Sequence, residues 1–312
     1  MADEPPRRHW VVAPDAAGVR LDRFLTARGE LGTRSQVHRL IGDGAVEVNG
    51  RVVKAGTMVR AGDRIAARLR AAVPVGVEPE AIPLDVLFED EVLLAINKPP
   101  GLVVHPAPGH WQGTLVSALL HRWPTAASGL DPARLGIVHR LDKDTSGVLL
   151  IARTAEALAD LGRQFRGRTV RKQYVALVWG APRLPRGVID KPIGRHPVQR
   201  KRMAVRGAGG RAARTRYEIV ERFTGISLVR AFPETGRTHQ IRVHLAALGC
   251  PIVADPLYAR PRPGPPGGIA RQALHAERID FAHPSSGAPV SLAAPLPGDL
   301  NAALAALRAR KA

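Results

Sequence analysis

The chain is organised around residues 136–147, which read Gly-Ile-Val-His-Arg-Leu-Asp-Lys-Asp-Thr-Ser-Gly. An apolar run at 135–138 leads into this polar cluster, and a second apolar run at 148–152 follows it. The pattern predicts a loop between two buried strands, a setting that holds reactive side chains in a cleft on a rigid base. Asp142 is the candidate for chemistry. The alternative is a turn in which Asp142 or Asp144 accepts hydrogen bonds from backbone amides.

The composition favours a nucleic acid as partner. The 312 residues are enough for two domains with separate cores. A formal charge of +19 comes from 46 Lys and Arg against 27 Asp and Glu, and Arg, which suits bidentate phosphate contacts, far outnumbers Lys. An anionic membrane surface is the alternative, but the sequence has neither a basic amphipathic helix nor a polybasic block beside an apolar anchor. The aromatic content of 4% argues against base-stacking platforms.

Cysteine and histidine usage gives no sign of a metal site. Cys250 is the single cysteine, which excludes an internal disulfide and a thiolate cluster. The histidines do not take the spacing of a zinc helix. The first residues lack the apolar segment of a signal peptide, and no apolar run is long enough to span a membrane. We therefore expect a soluble, cytoplasmic protein.

Residues 18–72 are predicted to form a small N-terminal domain, preceded by a flexible leader at 1–17. Apolar residues at helical spacing indicate two short helices, the second capped by Thr33 or Ser35. Asn49-Gly50 between two short strands is a strong hairpin signal, because both turn positions need positive φ. The apolar positions are Leu21, Phe24 and Leu25 in the first helix and Val37, Leu40 and Ile41 in the second.

This N-terminal pattern resembles the S4 domain, a small RNA-binding module. The segments that carry the resemblance are 20–25, 33–41, 44–50 and 62–65. The resemblance implies that three residues of the second helix meet RNA phosphates, namely Arg34, His38 and Arg39. The alternative is a solvated basic face, which is the usual explanation of a charge run.

Residues 84–305 are predicted to form a second domain, after a linker at 73–83 and before a basic tail at 306–312. Strands outnumber helices and do not alternate with them, so an α+β fold with a mixed, mainly antiparallel sheet is expected. Thr154 and Thr238 are expected to cap helices. The predicted strands include 86–88, 92–96, 170–179, 217–220, 226–232, 274–276 and 290–292.

Other polar residues of the second domain are assigned to structure or to RNA. Lys98 and His105 are candidates for catalysis, but a structural or RNA-contacting role is the prediction. The basic run at 195–216 is too dense to pack inside a core, and it predicts a mobile RNA-contacting hairpin or loop. This run contains Arg200, Lys201 and Arg202.

Four motifs match the RluA/RluD family of pseudouridine synthases in order and spacing. They are Asn-Lys-Pro-Pro-Gly-Leu-Val-Val-His-Pro at 97–106, the polar loop at 139–147, Lys-Gln-Tyr-Val-Ala at 172–176 and Gly-Arg-Thr-His-Gln-Ile-Arg-Val-His at 236–244. The resemblance covers about residues 84–300. With an S4-like domain in front, the chain is most similar to the RluD branch, which modifies 23S ribosomal RNA.

The resemblance implies an RNA isomerase that needs no cofactor. It breaks the N-glycosidic bond of a uridine, turns the uracil and rejoins it to the sugar through C5. Asp142 is implied as the essential carboxylate, either as a nucleophile or as a base toward the sugar. Arg242 would hold Asp142 in a charge-assisted pair, for which the alternative is a solvated helix charge. Tyr174 would lie against the uracil ring and take part in proton transfer at C5, although a tyrosine on a strand usually belongs to a core.

The resemblance also implies how RNA is held. A uridine in folded RNA has to be flipped out of its stack, and Arg140 is placed to fill the gap. Arg237 is a candidate for the role of Arg242 or for phosphate binding, while His139 is expected to brace the loop. The implied target is 23S ribosomal RNA, in the helix 69 loop, and the protein is expected to act as a monomer.

Three other functions were weighed against the isomerase. An RNA-binding assembly protein fits the composition but leaves Asp142, Tyr174 and Arg242 at family-matched positions unexplained. A phosphotransferase is suggested by His139-Arg140-Leu141-Asp142, but the sequence has no glycine-rich phosphate loop before it and no Asp-Phe-Gly after it. A hydrolytic metal site lacks the required ligand spacing.

Overall fold

The chain folds into two compact units, Met1–Gly76 and Val77–Ala312. The computed structural model describes residues 7–28, 31, 34–68, 77–106, 112–123, 135–199, 201–260 and 264–310. The boundary between the units falls within the predicted linker. No helix in these described ranges is long and apolar enough to cross a membrane.

The described residues of the first unit form a four-stranded antiparallel sheet with two helices, in the strand order β1-β4-β2-β3. Its elements are β1 (Arg7–Val11), α1 (Leu21–Ala27), α2 (Arg34–Gly42), β2 (Val46–Val48), β3 (Arg51–Val52) and β4 (Arg64–Arg68). The predicted apolar faces of both helices are confirmed, with Leu21, Phe24 and Val37 buried in one core. Asn49 and Gly50 both have positive φ, at 50° and 75°, as the hairpin requires.

The prediction of a flexible leader is wrong for residues 7–17. Arg7–Val11 pairs with β4 along its length and buries Trp10 in the core of the unit. The following residues form a 3-10 turn at Pro14–Ala16. The strand escaped prediction because it is a short edge strand in which Trp10 is the single buried position. Residues 1–6 of the predicted leader lie outside the described ranges.

The second unit is built on a mixed sheet flanked by helices, as predicted. The described strands form a nine-stranded sheet in the order β5-β6-β7-β14-β8-β13-β12-β9, with β15 beside β14, while β10 and β11 form a separate hairpin. Strands β7 and β14 pair in parallel, and the other pairs are antiparallel. The elements are β5 (Val86–Glu89), β6 (Leu93–Lys98), α3 (Leu115–Arg122), β7 (Ser146–Ala152), α4 (Ala155–Gly167), β8 (Arg171–Trp179), β9 (Arg186–Asp190), β10 (Ile193–Arg195), β11 (Met203–Val205), β12 (Arg214–Phe223), β13 (Ile226–Pro233), α5 (Gln240–Ala247), a 3-10 turn (Pro266–Gly268), β14 (Leu274–Ala282), β15 (Pro289–Ala293) and α6 (Gly298–Ala309).

Strands β6 and β7 are buried on both faces of the sheet, which explains why their sequences are continuous apolar runs. Successive side chains of a strand point to opposite faces of the sheet. Leu94 and Leu149 therefore pack in the cluster that contains α3 residues, whereas Leu93 and Leu150 pack in the cluster that contains α4 residues. Burial on both faces makes β7 a rigid support for the polar loop that precedes it.

The structure corrects two of the predicted segment boundaries. Residues 77–83 of the predicted linker belong to the second unit, because Val77 and Ile82 pack against its core. The predicted basic tail begins inside α6, where Leu307 is buried. In both places a few apolar residues in a polar or proline-rich stretch give too short a pattern to reveal packing.

Candidate active site

Glycines fix both ends of the polar loop at 136–147. Gly136 has a φ of 72°, and a Cβ there would overlap the carbonyl oxygen of Ala152. Gly147 has a φ of 116°, and a Cβ there would overlap the carbonyl oxygen of Ala276 on β14. At the start of the loop Ile137 forms an isolated bridge with Ile151, where the sequence predicts a full strand. The loop is therefore held by close backbone approaches at each end.

Two cations hold the middle of the loop. The buried Lys98 ammonium donates to the carbonyl oxygens of Pro99, Leu102 and Lys143 at 2.7, 2.9 and 2.9 Å. Arg271 donates to the carbonyl oxygen of Asp144 at 2.9 Å. Burial lowers the pKa of Lys98 to about 7, while three carbonyl acceptors match the three donors of its charged form. The contacts of Lys98 are those of a buried anchor of the loop.

Arg242, on α5, joins the loop to a buried carboxylate. Its Nη1 donates to Asp142 Oδ2 at 2.9 Å, and its Nε and Nη2 donate to the two oxygens of Asp255 at 2.7 and 2.9 Å. Burial acts to lower the pKa of Arg242, but its hydrogen bonds to Asp255 and the charges of Asp255 and Asp142 outweigh this effect and raise the pKa. The sequence expectation that Arg242 lies against Asp142 agrees with this geometry.

The beginning of α5 differs from the prediction, which placed Thr238 as the cap. The helix starts at Gln240, and the N-cap is His239, which has a φ of 55° and makes no capping bond through its side chain. Gln240 instead accepts from Arg237 N at 3.0 Å and from Thr235 Oγ1 at 2.7 Å. Its amide nitrogen donates to the carbonyl oxygen of Arg214 and to Thr215 Oγ1, both at 2.9 Å. The buried Gln240 side chain therefore ties the start of α5 to the preceding segment and to β12, and no side chain of the described residues caps the helix.

Asp142 lies in a cleft of about 470 Å³ formed by the loop, β8 and the segment before α5. This volume falls in the range of roughly 300–1,000 Å³ that is typical of small-ligand sites. The side chain of Asp142 is 21% exposed, so it is accessible but shielded. Tyr174, Arg140 and Arg237 line the same cleft, and Arg140 is exposed. Burial, and then the charge of Asp142, raises the pKa of Tyr174, so its phenol is protonated at neutral pH.

His139 packs behind the cleft, in agreement with the bracing role expected from the sequence. Its Nε2 accepts from Leu150 N at 2.9 Å, and its ring stacks on Phe165 with 4.9 Å between centroids. Burial, followed by the charge of Lys172, lowers the pKa of His139 to about 3. The imidazole is therefore neutral at physiological pH and ties the loop to β7.

The predicted RNA-binding residues of the second unit occupy different environments. Lys201 is exposed at the turn of the β10–β11 hairpin. Arg202 packs 5.3 Å above the Tyr258 ring and donates to Gln199 Oε1 at 2.9 Å. Arg237 donates to the carbonyl oxygen of Ala212 at 3.0 Å. Arg200 lies outside the described residues.

In the first unit, His38 is tied to α1. Its Nε2 lies 2.8 Å from Oδ2 of the buried Asp22, which also accepts from Arg20. The side chain of His38 is still 44% exposed. The side chains of Arg34 and Arg39 lie outside the described part of the chain. An RNA contact by these three residues stays a prediction.

Sequence reasoning missed Asp255, Tyr258 and His239, which complete the surroundings of Asp142. Asp255 accepts both from Arg242 and from the backbone amides of the turn that follows it. Tyr258 stacks on Arg242 with 5.2 Å between guanidinium and ring centroid. Asp255 and Tyr258 sit in a short turn without hydrophobic periodicity, so the sequence offered no signal for them. His239 was visible within a motif but had no assigned role.

Comparison with known proteins places these features in a family. The pattern of the RNA pseudouridylate synthase family matches residues 92–247, and that of the S4 domain matches residues 19–65. The two units are therefore those of an RNA-modifying isomerase that carries an RNA-binding domain.

The similarity to individual proteins covers nearly the whole chain. "Ribosomal large subunit pseudouridine synthase D" of Nitrosomonas europaea is 45% identical over 95% of this chain and 87% of its own length. An uncharacterised RNA pseudouridine synthase of Chloroflexus aurantiacus is 48% identical over 98% and 96% of the two chains. The solved structure of human RNA pseudouridylate synthase domain containing 4 has a TM-score of 0.58 and 28% identity, over 72% of this chain and 93% of that one. The chain belongs to the RNA pseudouridylate synthase family.

Proposed function

We propose that this isomerase acts on uridines of 23S RNA in the large ribosomal subunit, in the helix 69 loop, and that Asp142 is its essential carboxylate. The observation that carries the proposal is the shielded position of Asp142, held by Arg242 at 2.9 Å in the cleft. The name of the Nitrosomonas europaea relative supports the choice of the large subunit. The charge of +19 supports an RNA partner.

In this account the two oxygens of Asp142 have separate tasks. Oδ2 stays with Arg242, and Oδ1 meets the ribose or the base of the flipped uridine. Arg242 cannot turn away from Asp142, because Asp255 holds its other edge with two hydrogen bonds. A fixed carboxylate loses little orientational freedom when the substrate binds, which lowers the barrier of the following step.

Tyr174 acts in this account mainly through its ring. Its raised pKa keeps the phenol protonated, so it is a poor base for the proton at C5 of the uracil at neutral pH. The ring stacks against the uracil while the base turns. Asp142 or water then takes the proton from C5 after the new carbon–carbon bond has formed, and N1 of the uracil takes up a proton in its place.

Arg140 and Arg237 serve RNA binding. Arg140 is exposed at the cleft and fills the gap that the flipped uridine leaves in its stack. Arg237, fixed by the carbonyl oxygen of Ala212 at the far side of the cleft, binds a backbone phosphate. The S4 unit adds phosphate contacts that are independent of the chemistry.

Mapping of modified sites tests the proposal. Wild type and Asp142→Asn are incubated with ribosomal RNA from cells that lack the enzyme, and pseudouridine is located by carbodiimide modification and primer extension. New stops in the helix 69 loop with wild type alone are the expected result. Stops elsewhere in large-subunit RNA would support the isomerase activity but would place its target outside the helix 69 loop. No stops, with RNA still bound, would favour a non-catalytic assembly factor.

A further inference from the structure

His239 is the group next to Asp142 for which the proposed chemistry has given no role. Its Nε2 lies 3.9 Å from Asp142 Oδ2, which is too long for a hydrogen bond. The side chain is 16% exposed and lines the cleft. The residue has a φ of 55°, in the left-handed region that residues other than glycine, asparagine and aspartate seldom adopt because it costs free energy. That strained backbone begins α5 beside the carboxylate.

The opposite edge of the His239 ring is fixed by Tyr258. Nδ1 lies 2.9 Å from Tyr258 Oη, and the two rings meet edge to face, with 5.7 Å between centroids and 81° between planes. Met203 N donates to the same Oη at 2.9 Å. The Tyr258 ring in turn packs against the guanidinium groups of Arg242 and Arg202, at 5.2 and 5.3 Å from its centroid.

These contacts favour one position for the imidazole proton. Met203 N can only donate, so it occupies an acceptor position of Tyr258 Oη. If Nδ1 of His239 accepts, the hydroxyl proton of Tyr258 has a partner, whereas an Nδ1–H would leave that proton without an acceptor among the described contacts. A neutral imidazole that accepts at Nδ1 carries its proton on Nε2. The donor N–H of His239 therefore points into the cleft beside Asp142.

We propose that His239 is a substrate-contacting residue of the isomerase, which donates from Nε2 to a uracil carbonyl oxygen, and that Tyr258 is the positioning residue that selects this tautomer. When the glycosidic bond breaks, its electron pair stays with the uracil and negative charge spreads to the carbonyl oxygens. A donor fixed in advance beside that charge stabilises the transition state. The proposal rests on the proposed function of the Asp142 cleft.

The electrostatic surroundings of His239 agree with a neutral donor. Burial lowers the pKa of His239, and Arg242 and Arg140 act in the same direction, against the charges of Asp142 and Asp255. The gap of 3.9 Å to Asp142 leaves the Nε2 proton for a substrate atom.

Two substitutions of His239 test whether the N–H donor at the position of Nε2 is the part of the side chain that speeds the reaction. Asn tolerates a left-handed backbone well and places its amide near the position of Nδ1, so it can reach Tyr258 but not the cleft. Gln is longer and places its amide near the position of Nε2. In single-turnover assays with saturating RNA, His239→Asn is expected to lower the rate about tenfold, which is about 1.4 kcal/mol. His239→Gln is expected to stay closer to wild type, and both should bind RNA as wild type does.

The role of Tyr258 is tested by removing its hydroxyl group alone. Tyr258→Phe keeps the contacts of the ring with the two arginines, and Tyr217→Phe makes the same change on β12, outside the residues that line the cleft. Nitrogen NMR of histidine-labelled protein, with His239→Gln for assignment, is expected to show His239 with its proton on Nε2 in wild type and in Tyr217→Phe. A mixture of tautomers and a slower turnover at unchanged RNA affinity are expected in Tyr258→Phe.

Specific outcomes would overturn the proposal. A wild-type proton on Nδ1, equal rates for the Asn and Gln variants of His239, or a Tyr258→Phe variant with wild-type rate each contradict it. Wild type that forms no pseudouridine in any RNA overturns the proposed function and this inference together. An active wild type with an equally active His239→Asn overturns the inference alone.

Discussion

Arg242 donates to Asp142 at 2.9 Å, although 100 residues separate them in the sequence. The contact joins the polar loop that precedes β7 to the helix α5, which follows β13. It is directional, because the remaining edge of the Arg242 guanidinium is bound by the buried Asp255. Asp255 therefore positions Asp142 indirectly, by holding the Arg242 guanidinium that donates to it.

Replacing Asp255 by Asn is expected to weaken both the fold and the site. The change leaves the buried Arg242 without one of its two charge partners, and breaking a buried ion pair costs roughly 3–5 kcal/mol. Turnover should fall as well, because Arg242 is no longer held toward Asp142. Urea unfolding and single-turnover rates measure the two effects. Asp280→Asn, which breaks the exposed pair with Arg278, is the control and should cost less than about 1 kcal/mol. Equal stability of the two variants would contradict the account.

His139 is expected to lower the free energy of unfolding as the pH falls. Its pKa is about 3 in the folded protein against an ordinary value of 6.5. Between these values the unfolded chain binds a proton that the folded protein excludes, so the stabilisation is complete above pH 6.5 and is lost as the pH falls toward 3. The slope is at most about 1.4 kcal/mol per pH unit. His139→Gln keeps an acceptor for Leu150 N without a titrating group, so its unfolding free energy should fall less steeply below pH 6.5. Parallel curves for the two proteins would rule out this role.

Gly147→Ala is expected to destabilise the protein by about 3 kcal/mol or more, because the added Cβ overlaps the backbone of Ala276 and forces β7 away from β14. Gly225→Ala is the matched control. Gly225 also has a positive φ, at 73°, but a Cβ there meets no atom within 4 Å, so the cost is about 1–2 kcal/mol of backbone strain. Chemical denaturation of both variants gives the comparison. A cost for Gly147→Ala no larger than that of Gly225→Ala would show that the approach of β7 to β14 is not tight.

Deletion of residues 1–76 is expected to weaken RNA binding and to leave some isomerase activity. The deleted part is a compact unit that matches the S4 domain, and it does not contain Asp142. If it supplies phosphate contacts, the slope of log affinity against log salt concentration should become shallower by about 0.7–0.9 per lost contact. Binding to structured RNA at several salt concentrations measures this slope. An unchanged slope would place the phosphate contacts in the second unit.

The elements with regular apolar spacing could be predicted from the sequence. The apolar faces of α1 and α2, the Asn49-Gly50 hairpin and the Thr154 cap of α4 all depend on local patterns, and the structure agrees with them. Strand β1 could not be predicted, because its pairing with β4 joins residues that are far apart in the sequence. The same limit applies to the predicted basic tail at 306–312. Its first residues form the last turn of α6, which is held by the packing of Leu307.

The candidate site was predictable only where a family motif marked it. Asp142, Tyr174 and Arg242 lie in such motifs, and they converge on one cleft or on its wall. The supporting groups depend on three-dimensional contacts between loops. Lys98 donates to the carbonyl oxygen of Lys143, which is 45 residues away in the sequence. Tyr258 Oη accepts from Met203 N, which is 55 residues away. No local rule predicts such pairs, because each is created by the folding of the whole sheet.

Single-turnover release of tritium from C5 of labelled uridines tests the role of Asp142 most directly. Wild type, Asp142→Asn and the loop control Asp144→Asn are compared on the RNA that wild type modifies, with RNA binding and thermal unfolding measured for each. We expect Asp142→Asn to fold and to bind RNA, with a lower unfolding temperature because Arg242 loses one of its two charge partners, but to be at least about 10³-fold slower than wild type, while Asp144→Asn stays active. Release by Asp142→Asn at a rate near that of wild type would contradict the account.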